Sequence, residues 1–176
     1  GLNYNVFMVS FQHDILPLKN LIFRTALRIV LNRDEAEDIV QDTLVKLWQQ
    51  RNALDSISSL EAYAITIARN MSLDRKEKLD NRFLSLDSDA HDCLDSPSSS
   101  PDSHILSHEA TTFVQDTINA LPEKQKTVLQ LRDIEGKNYK EIASVLNITE
   151  SDVKVTLFRA RSTLKEKILK KKSLYL

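Results

Sequence analysis

Residues 138–162 combine two short helical patterns with cations and an aromatic side chain, which suits contact with a nucleic acid better than catalysis. Asn138 and Glu141 have the spacing of a reciprocal helix-capping pair, and Thr149 can cap a second helix. Asn147 lies between the two helices, where the chain must reverse and where asparagine tolerates a left-handed conformation. The spacing therefore predicts a helix-turn-helix, an arrangement whose second helix can enter a DNA major groove.

The second helix of this pair has two unlike sides when it is drawn at about 100° per residue. One narrow apolar stripe is predicted to be buried: Val153, Leu157, Ala160, Leu164 and Ile168. The opposite side and its edges carry the candidate DNA-binding residues: Ser151, Lys154, Val155, Phe158, Arg159 and Arg161. Aromatic and valine side chains can contact thymine methyl groups while cations contact phosphates or guanine edges. The alternative is that Phe158 packs against another part of the protein.

Composition and charge favour an all-α protein that binds a nucleic acid. The chain has 2 glycines and 4 prolines in 176 residues, and its apolar residues recur at helical spacing. The net charge of −1 is unevenly distributed, because residues 1–82 carry 11 basic and 11 acidic groups. Residues 83–120 carry 7 acidic groups and no Lys or Arg, whereas residues 121–176 carry 13 basic and 7 acidic groups. A basic C-terminal part beside an acidic middle is typical of nucleic-acid binders.

Other classes of function find little support in the residues. The single cysteine, Cys93, cannot form an internal disulfide, and the 4 histidines lack the spacing of a zinc site. No apolar run approaches the roughly 20 residues that span a bilayer, and no signal segment is evident. Glycine-rich phosphate loops and Ser/His/Asp arrangements are also missing. We therefore expect a cytoplasmic protein that is not an enzyme, with no cofactor, metal, small-molecule substrate or membrane insertion.

The helical segments fall into two groups separated by a polar stretch. Residues 84–103 are rich in Asp, Ser and Pro and have too little apolar area to offset their ordering entropy. We expect an N-terminal domain at 6–82, a flexible acidic linker at 83–103 and a C-terminal domain at 104–172. Helices are predicted at about 12–31, from near Asp34 to Arg51, from after Ser58 to about Leu79, and near 104–120 and 122–133. Glu61 is predicted to complete a capping box with Ser58.

The second predicted helix also carries apolar groups away from its core side. The core stripe comprises Ala36, Ile39, Val40, Leu44 and Leu47. Off that stripe lie Asp38, Gln41, Asp42, Val45 and Trp48. Two apolar side chains among acids and amides indicate a protein-docking surface, since Trp is enriched at interfaces. The alternative is that Trp48 fills the edge of a three-helix core.

The third predicted helix has an apolar side and a cationic side. Its buried residues are predicted to be Leu60, Tyr63, Ala64, Ile67, Ala68 and Met71. Its surface or edge residues are predicted to be Arg69, Asn70, Arg75, Lys76 and Lys78. The alternative interpretation is an ordinary charged helix end.

Three segments together resemble one family. They are Ala36-Glu37-Asp38-Ile39-Val40-Gln41-Asp42-Thr43-Leu44, then Ile67-Ala68-Arg69-Asn70 with Asp74, then Glu141-Ile142-Ala143 through Arg159-Ala160-Arg161. In this order and spacing, with a low-complexity linker between, they are similar to extracytoplasmic-function sigma factors, the small two-domain initiation factors of bacterial RNA polymerase. The likeness covers about residues 11–82 and 106–170.

The resemblance implies a role for each segment. Asp38, Gln41, Asp42, Val45 and Trp48 fall in the part that docks on the polymerase β′ coiled coil. The loop 52–59 and helix three, with Tyr63, Arg69, Asn70, Arg75 and Lys76, match the part that opens the promoter −10 element and captures an unpaired base. Lys154, Val155, Phe158 and Arg159 match positions that read the −35 element, with Ser151 and Arg161 beside them. The implied partners are core RNA polymerase, through its β′ and β subunits, promoter DNA and an anti-sigma factor.

Some positions depart from the family pattern. Thr156 lies where many members have Arg, which removes one expected phosphate contact, and Asp152 lies where a neutral residue is common. Tyr63 replaces a frequent Trp, and Thr66 replaces a frequent basic residue. Two alternatives from other classes stay open: a helix-turn-helix regulator that binds an operator as a dimer, and a sigma mimic that acts only through protein binding.

Overall fold

The computed structural model describes residues 8–85 and 105–174, and every regular element among them is helical. The chain divides into two units, Gly1–Asp92 and Cys93–Leu176. The predicted all-α class with two helical domains is therefore confirmed. The predicted linker lies outside the described residues except for its first three positions, which are helical, and Cys93 also lies outside them.

Three α-helices form the N-terminal unit, and each packs against the other two. They are α1 (Lys19–Val30), α2 (Arg33–Gln49) and α3 (Leu60–Ser85). A π-helical turn (Phe11–Ile15) and a 3-10 turn (Leu16–Leu18) precede α1, and a 3-10 segment (Arg51–Ser56) joins α2 to α3. The facing sides of the helices enclose an apolar core whose largest fully buried side chains include Ile15, Ile22, Ile39, Leu47 and Ile65.

Two of these helices begin at side-chain caps, and one of the caps differs from the prediction. Asn32 caps α2, because its Oδ1 accepts a hydrogen bond from the Glu35 backbone N–H at 3.0 Å. The predicted cap of α3 at Ser58 is wrong by one residue, since the hydroxyl of Ser59 accepts from the Ala62 N–H at 3.2 Å. A capping box therefore does not pair Ser58 with Glu61.

The predicted helices differ from the observed ones at three further places, two in their winding and one in where the helix ends. The segment predicted as one helix from residue 12 passes through two short turns before α1 begins, because Pro17 lacks the N–H that a continuous helix needs. α3 continues past the predicted end near Leu79 to Ser85. The helix predicted at 122–133 changes to wider π-helical winding after Leu129, where the Glu135 N–H reaches back to the Gln130 carbonyl at 3.0 Å.

The C-terminal unit is built around one long helix. Its elements are α4 (Ile105–Asn119), α5 (Glu123–Leu129), a π-helical turn (Gln130–Ile134), α6 (Tyr139–Leu146) and α7 (Glu150–Ser173). α7 packs against α4, α5 and α6, and Val128, Ile142 and Val153 are fully buried where these helices meet. No described helix of either unit is both long enough and apolar enough to cross a membrane.

The chain reverses between α1 and α2 at an unusual residue. Leu31 has φ 54°, in the left-handed region, and its N–H donates to the Leu27 carbonyl at 2.9 Å. Its side chain is 72% exposed, so burial offsets little of the steric cost. A branched residue in this conformation stores strain that glycine would not have.

We expect Leu31→Gly to raise the free energy of unfolding of the N-terminal unit by about 1 kcal/mol, because glycine adopts positive φ without a Cβ clash. The measurement is urea denaturation followed by the fluorescence of Trp48, the single tryptophan of the chain, which lies in this unit. The control is Leu31→Ala, which removes the exposed side chain but keeps the strained backbone and should give no gain. Equal stabilisation by both variants would contradict the strain argument.

Candidate nucleic-acid interface and protein-docking surface

The helix-turn-helix forms with the caps predicted from the sequence. Asn138 Oδ1 accepts from the Glu141 N–H at 2.8 Å, and Glu141 Oε2 accepts from the Asn138 N–H at 3.0 Å. Asn147 ends α6 with φ 53°, and Thr149 Oγ1 accepts from the Asp152 N–H at 3.1 Å to begin α7. These bonds satisfy N–H groups that a helix start leaves free and fix the direction in which α7 leaves the turn.

The two sides of α7 differ as the periodicity predicted. Val153, Leu157 and Ala160 are buried. On the opposite side Phe158 is 71% exposed and Val155 is 47% exposed. The alternative that Phe158 packs elsewhere is therefore wrong for the described part of the chain. An apolar pair at i and i+3 is left open for a ligand on this face.

The cations around this face are not equivalent. Lys154 and Arg159 are exposed, and Lys154 Nζ lies 5.5 Å from the centre of the Tyr139 ring. Arg161 is instead held by Asp133, with Nε–Oδ2 and Nη2–Oδ1 distances of 3.0 and 2.5 Å. The hydrogen bonds that the Arg161 guanidinium donates to Asp133 raise the pKa of that guanidinium. A phosphate that contacts Arg161 must compete with this carboxylate.

Thr156 does not lie on the predicted DNA face. Its side chain is buried with Val153 and Leu157 on the core side of α7. In this chain the position is thus part of the packing, and the threonine is not a lost phosphate contact.

The outer side of α2 combines carboxylates with apolar groups. Asp38, Gln41 and Asp42 are exposed, and the ridge continues into Val45, 53% exposed, and Trp48, 39% exposed. The predicted core stripe of α2 is buried along its whole length. The structure therefore brings the five residues of the predicted docking surface onto one continuous face.

Trp48 is neither free nor fully packed. The Phe11 ring meets it edge-on, with centroids 5.6 Å apart and an interplanar angle of 80°. The Arg51 guanidinium carbon lies 4.3 Å from the Trp48 ring centroid, and Arg51 Nη1 donates to the Trp48 carbonyl at 2.9 Å. Sequence reasoning missed Phe11 and Arg51, because Phe11 belongs to the π-helical turn that precedes α1 and periodicity does not reveal this contact.

Arg75 of α3 lies among three carboxylates of α2. Its Nη1 pairs with Glu35, and its Nη2 lies 2.8 Å from Asp38 Oδ2 and 3.8 Å from Asp42 Oδ2. The hydrogen bonds to Asp38 and Glu35 raise the pKa of the Arg75 guanidinium. A residue predicted to contact DNA is thus paired with carboxylates of the predicted protein-docking surface.

The other residues predicted to contact the −10 element differ in exposure and in the hydrogen bonds that they already form. Tyr63 packs partly against the core and its hydroxyl donates to Gln50 Oε1 at 2.5 Å, which limits its use as a stacking platform. Asn70 and Lys76 are exposed. Arg69 is half-buried, and its Nε has no hydrogen-bond partner among the described residues. A buried donor of this kind needs water or a ligand.

Comparison with protein families assigns both units. The model described as "Sigma-70 region 2" matches residues 15–82, and "Sigma-70, region 4" matches residues 114–164. The first match contains α2 and most of α3, and the second contains the helix-turn-helix.

Similar curated proteins match along nearly their whole length. The ECF RNA polymerase sigma-E factor of Haemophilus influenzae is 27% identical, over 94% of this chain and 87% of that protein. The ECF RNA polymerase sigma factor SigW of Bacillus subtilis is also 27% identical, over 88% of this chain and 87% of that protein.

Solved structures share the fold at low identity. The sigma factor RpoE in complex with the anti-sigma factor NepR from Bartonella quintana has a TM-score of 0.69 and 24% identity, covering 89% of this chain and 94% of that one. CnrH in complex with the cytosolic domain of CnrY has a TM-score of 0.64 and 19% identity, covering 90% of this chain and 86% of that one.

We expect Thr149→Ala to destabilise the start of α7 by about 1 kcal/mol, because the Asp152 N–H loses its acceptor. Amide hydrogen exchange of the first two turns of α7 measures the loss as faster exchange. Thr149→Ser keeps a hydroxyl at the cap and should retain most of the protection. Equal protection in the alanine and serine variants would show that the hydroxyl contributes nothing.

Proposed function

The chain belongs to the sigma-70 family and is a promoter-directing factor of RNA polymerase of the extracytoplasmic-function type, and from this premise we propose which surface performs each step. The observation that carries the assignment is that both family regions match in order, each within its own unit. Core RNA polymerase and promoter DNA are its partners. We further propose that it works in the cytoplasm, where those partners meet, and contributes specificity to the polymerase rather than a catalytic group of its own.

We propose that α7 reads the −35 element as a duplex. The exposed Phe158 and Val155 can contact thymine methyl groups in the major groove. Lys154 and Arg159 flank them and can contact phosphates or guanine edges, and Ser151 lies at the end of the helix that leads into the groove. Arg161 is a weaker candidate, because Asp133 already accepts hydrogen bonds from its Nε and Nη2.

The outer face of α2 is the proposed contact with core polymerase. Its two exposed carboxylates suit basic groups of a partner, and Val45 with Trp48 supplies apolar area beside them. Interfaces of this kind concentrate binding free energy in a few aromatic anchors. Phe11 and Arg51 limit the rotamers of the Trp48 ring, so the anchor is largely ordered before binding.

We propose that α3 contacts the opened −10 element through Arg69, Asn70 and Lys76. Their amide and cationic groups can bind a displaced strand and a base taken out of the stack. The Nε of Arg69 is buried without a partner among the described residues, so the side chain would have to turn outward before a phosphate or base oxygen could accept from it. Tyr63 would have to give up its bond to Gln50 to stack on a base with its whole ring.

An anti-sigma factor stays a prediction for this chain. The titles of the two structures of similar fold describe complexes with the anti-sigma factor NepR and with the cytosolic domain of CnrY. An inhibitor of this chain would have to cover α2, the outer face of α7, or both, since those faces carry the proposed contacts.

The two other classes raised by the sequence are not favoured. The hypothesis of an operator-binding regulator does not explain why residues 15–82 match sigma-70 region 2. The hypothesis of a mimic that does not bind promoters does not explain why Phe158 and Val155 are exposed on α7. Run-off transcription with purified core polymerase on a genomic fragment library tests the function directly. Failure of the chain to bind core polymerase and to start transcripts on any fragment would refute it.

We expect Arg159→Ala to weaken binding of the −35 duplex by roughly 1–3 kcal/mol and to relax its preference at one base pair, because a guanine edge loses its donor. Fluorescence anisotropy gives both quantities, with a −35 duplex taken from a promoter that the run-off assay identifies and with single-base variants of that duplex. Lys170→Ala removes the same charge from the exposed far end of α7 and should leave the base preference intact. An Arg159→Ala protein with unchanged affinity and preference would remove this residue from base readout.

We expect Trp48→Ala to lower the affinity for core polymerase about tenfold or more, as loss of an aromatic anchor does, without changing binding of the isolated −35 duplex. Biolayer interferometry against immobilised core enzyme measures the first, and anisotropy measures the second. Leu31→Ala removes a more exposed apolar side chain of the same unit from outside the docking surface and should bind normally. Undiminished polymerase binding by Trp48→Ala would contradict the docking assignment.

A further inference from the structure

We propose that Arg75 is a positioning residue for polymerase docking, which holds Asp38 and Asp42 in place from behind, and that it does not contact the −10 DNA. The proposal deepens the function assigned to α2 and rests on that assignment. It replaces the role that the sequence gave to Arg75.

The geometry places Arg75 at the centre of an acidic ridge. Glu35, Asp38 and Asp42 follow one another at spacings of three and four residues, so they share one side of α2. The guanidinium of Arg75 reaches across from α3 and uses one nitrogen for Glu35 and the other for both aspartates, at 2.8 and 3.8 Å. A planar group with several donors can bond several carboxylates at once.

Burial divides this cluster into an inner and an outer part. The side chains of Arg75 and Glu35 are less than one-third exposed, whereas those of Asp38 and Asp42 are more than half exposed. Glu35 therefore fixes the guanidinium from within, and the guanidinium fixes the aspartates that face outward. Because one cation stands against three carboxylates, the ridge keeps a net charge of two negative units toward solvent.

The same charge balance argues against a DNA contact. A phosphate that approached Arg75 would have to displace carboxylates already bonded to it and come close to two uncompensated negative charges. The neighbouring Lys76 is exposed and forms no ion pair with the described residues, so it is the better phosphate ligand of the two.

Loss of Arg75 should weaken docking even though it makes the ridge more acidic. Asp38 and Asp42 stand four residues apart on one helix, where like charges repel. Without the guanidinium between them the two side chains separate into other rotamers, and a partner must order them again on binding. If only the net charge mattered, the more acidic ridge would bind a basic partner more tightly. The sign of the change in affinity therefore shows whether Arg75 positions the aspartates or shields their charge.

The test compares full-length variants for affinity toward core polymerase and, in assembled holoenzyme at saturating polymerase, for capture of a single-stranded −10 probe. We expect Arg75→Ala to lower polymerase affinity about three- to tenfold, which lies toward the low end of the coupling between residues of one salt-bridge network. Capture of the probe should not change. Arg75→Lys, which keeps the charge but bonds fewer oxygens, should recover part of the affinity. Lys78→Ala, which removes an exposed cation of the same helix from outside both proposed surfaces, should bind normally.

A second variant keeps the proposal testable if Arg75→Ala fails to fold, which Trp48 fluorescence during denaturation would reveal. Glu35→Gln leaves both outer carboxylates in place but removes the negative charge that anchors Arg75 on its inner side. It should weaken polymerase binding in the same direction, and the double variant should bind no more weakly than Arg75→Ala. Unchanged polymerase affinity in Glu35→Gln overturns the proposal.

Three results with Arg75→Ala overturn the proposal as well. Tighter polymerase binding shows that Arg75 shields the acids, and unchanged polymerase binding shows that it does not act on them. Weaker probe capture with normal polymerase binding restores the DNA role. If Asp42→Ala and Trp48→Ala also bind polymerase normally, the docking surface itself is wrong. If Asp42→Ala and Trp48→Ala bind polymerase poorly and Arg75→Ala binds it normally, the docking surface is correct and only the positioning role of Arg75 is wrong.

Discussion

Each unit buries only one narrow side of the helix that carries its candidate surface, and both interfaces follow from that constraint. α2 turns Ile39, Val40 and Leu44 toward α1 and α3, and α7 turns Val153 and Leu157 toward the helices around it. A helix with an apolar stripe on one side is fixed in rotation by burial of that stripe. The residues opposite the stripe must then face outward, whatever their chemistry. Trp48 and Phe158 are both large apolar groups that this rotation leaves partly or mostly exposed.

Single exposed apolar residues are common and need no special explanation. Here each one has an apolar neighbour three residues earlier on the same helix and charged residues beside the pair. Burying either pair in the protein would require the helix to rotate and expose its core stripe. The area that stays accessible can therefore contribute to binding rather than to folding.

The local features of this fold could be predicted well from the sequence, and the long-range ones could not. The caps at Asn138 and Thr149 and the left-handed Asn147 are set by residues within three or four positions of each other, so spacing is sufficient. Ala62 and Ile65 were missed as buried residues of α3. That helix packs against both α1 and α2, and a search for one apolar stripe underestimates a helix that is covered on two sides.

The ion pairs of the arginines show more clearly that contacts between residues distant in sequence could not be predicted. Arg75 pairs with carboxylates 37 and 40 positions away, and Arg161 pairs with Asp133, 28 positions away. Sequence reasoning counted both arginines as DNA ligands, Arg161 from its place beside the outer face of α7 and Arg75 from the family resemblance. No local pattern reveals a distant carboxylate. Ion pairing with carboxylates separates the basic residues into two groups. One group links helices of the protein, and the other remains available to contact DNA phosphates. The steepness with which DNA affinity falls with salt depends on the number of phosphates neutralised. The salt dependence of DNA affinity should therefore depend on the basic residues that form no ion pair within the described protein, such as Lys154, Arg159 and Lys76. A count of all basic residues overestimates this salt dependence.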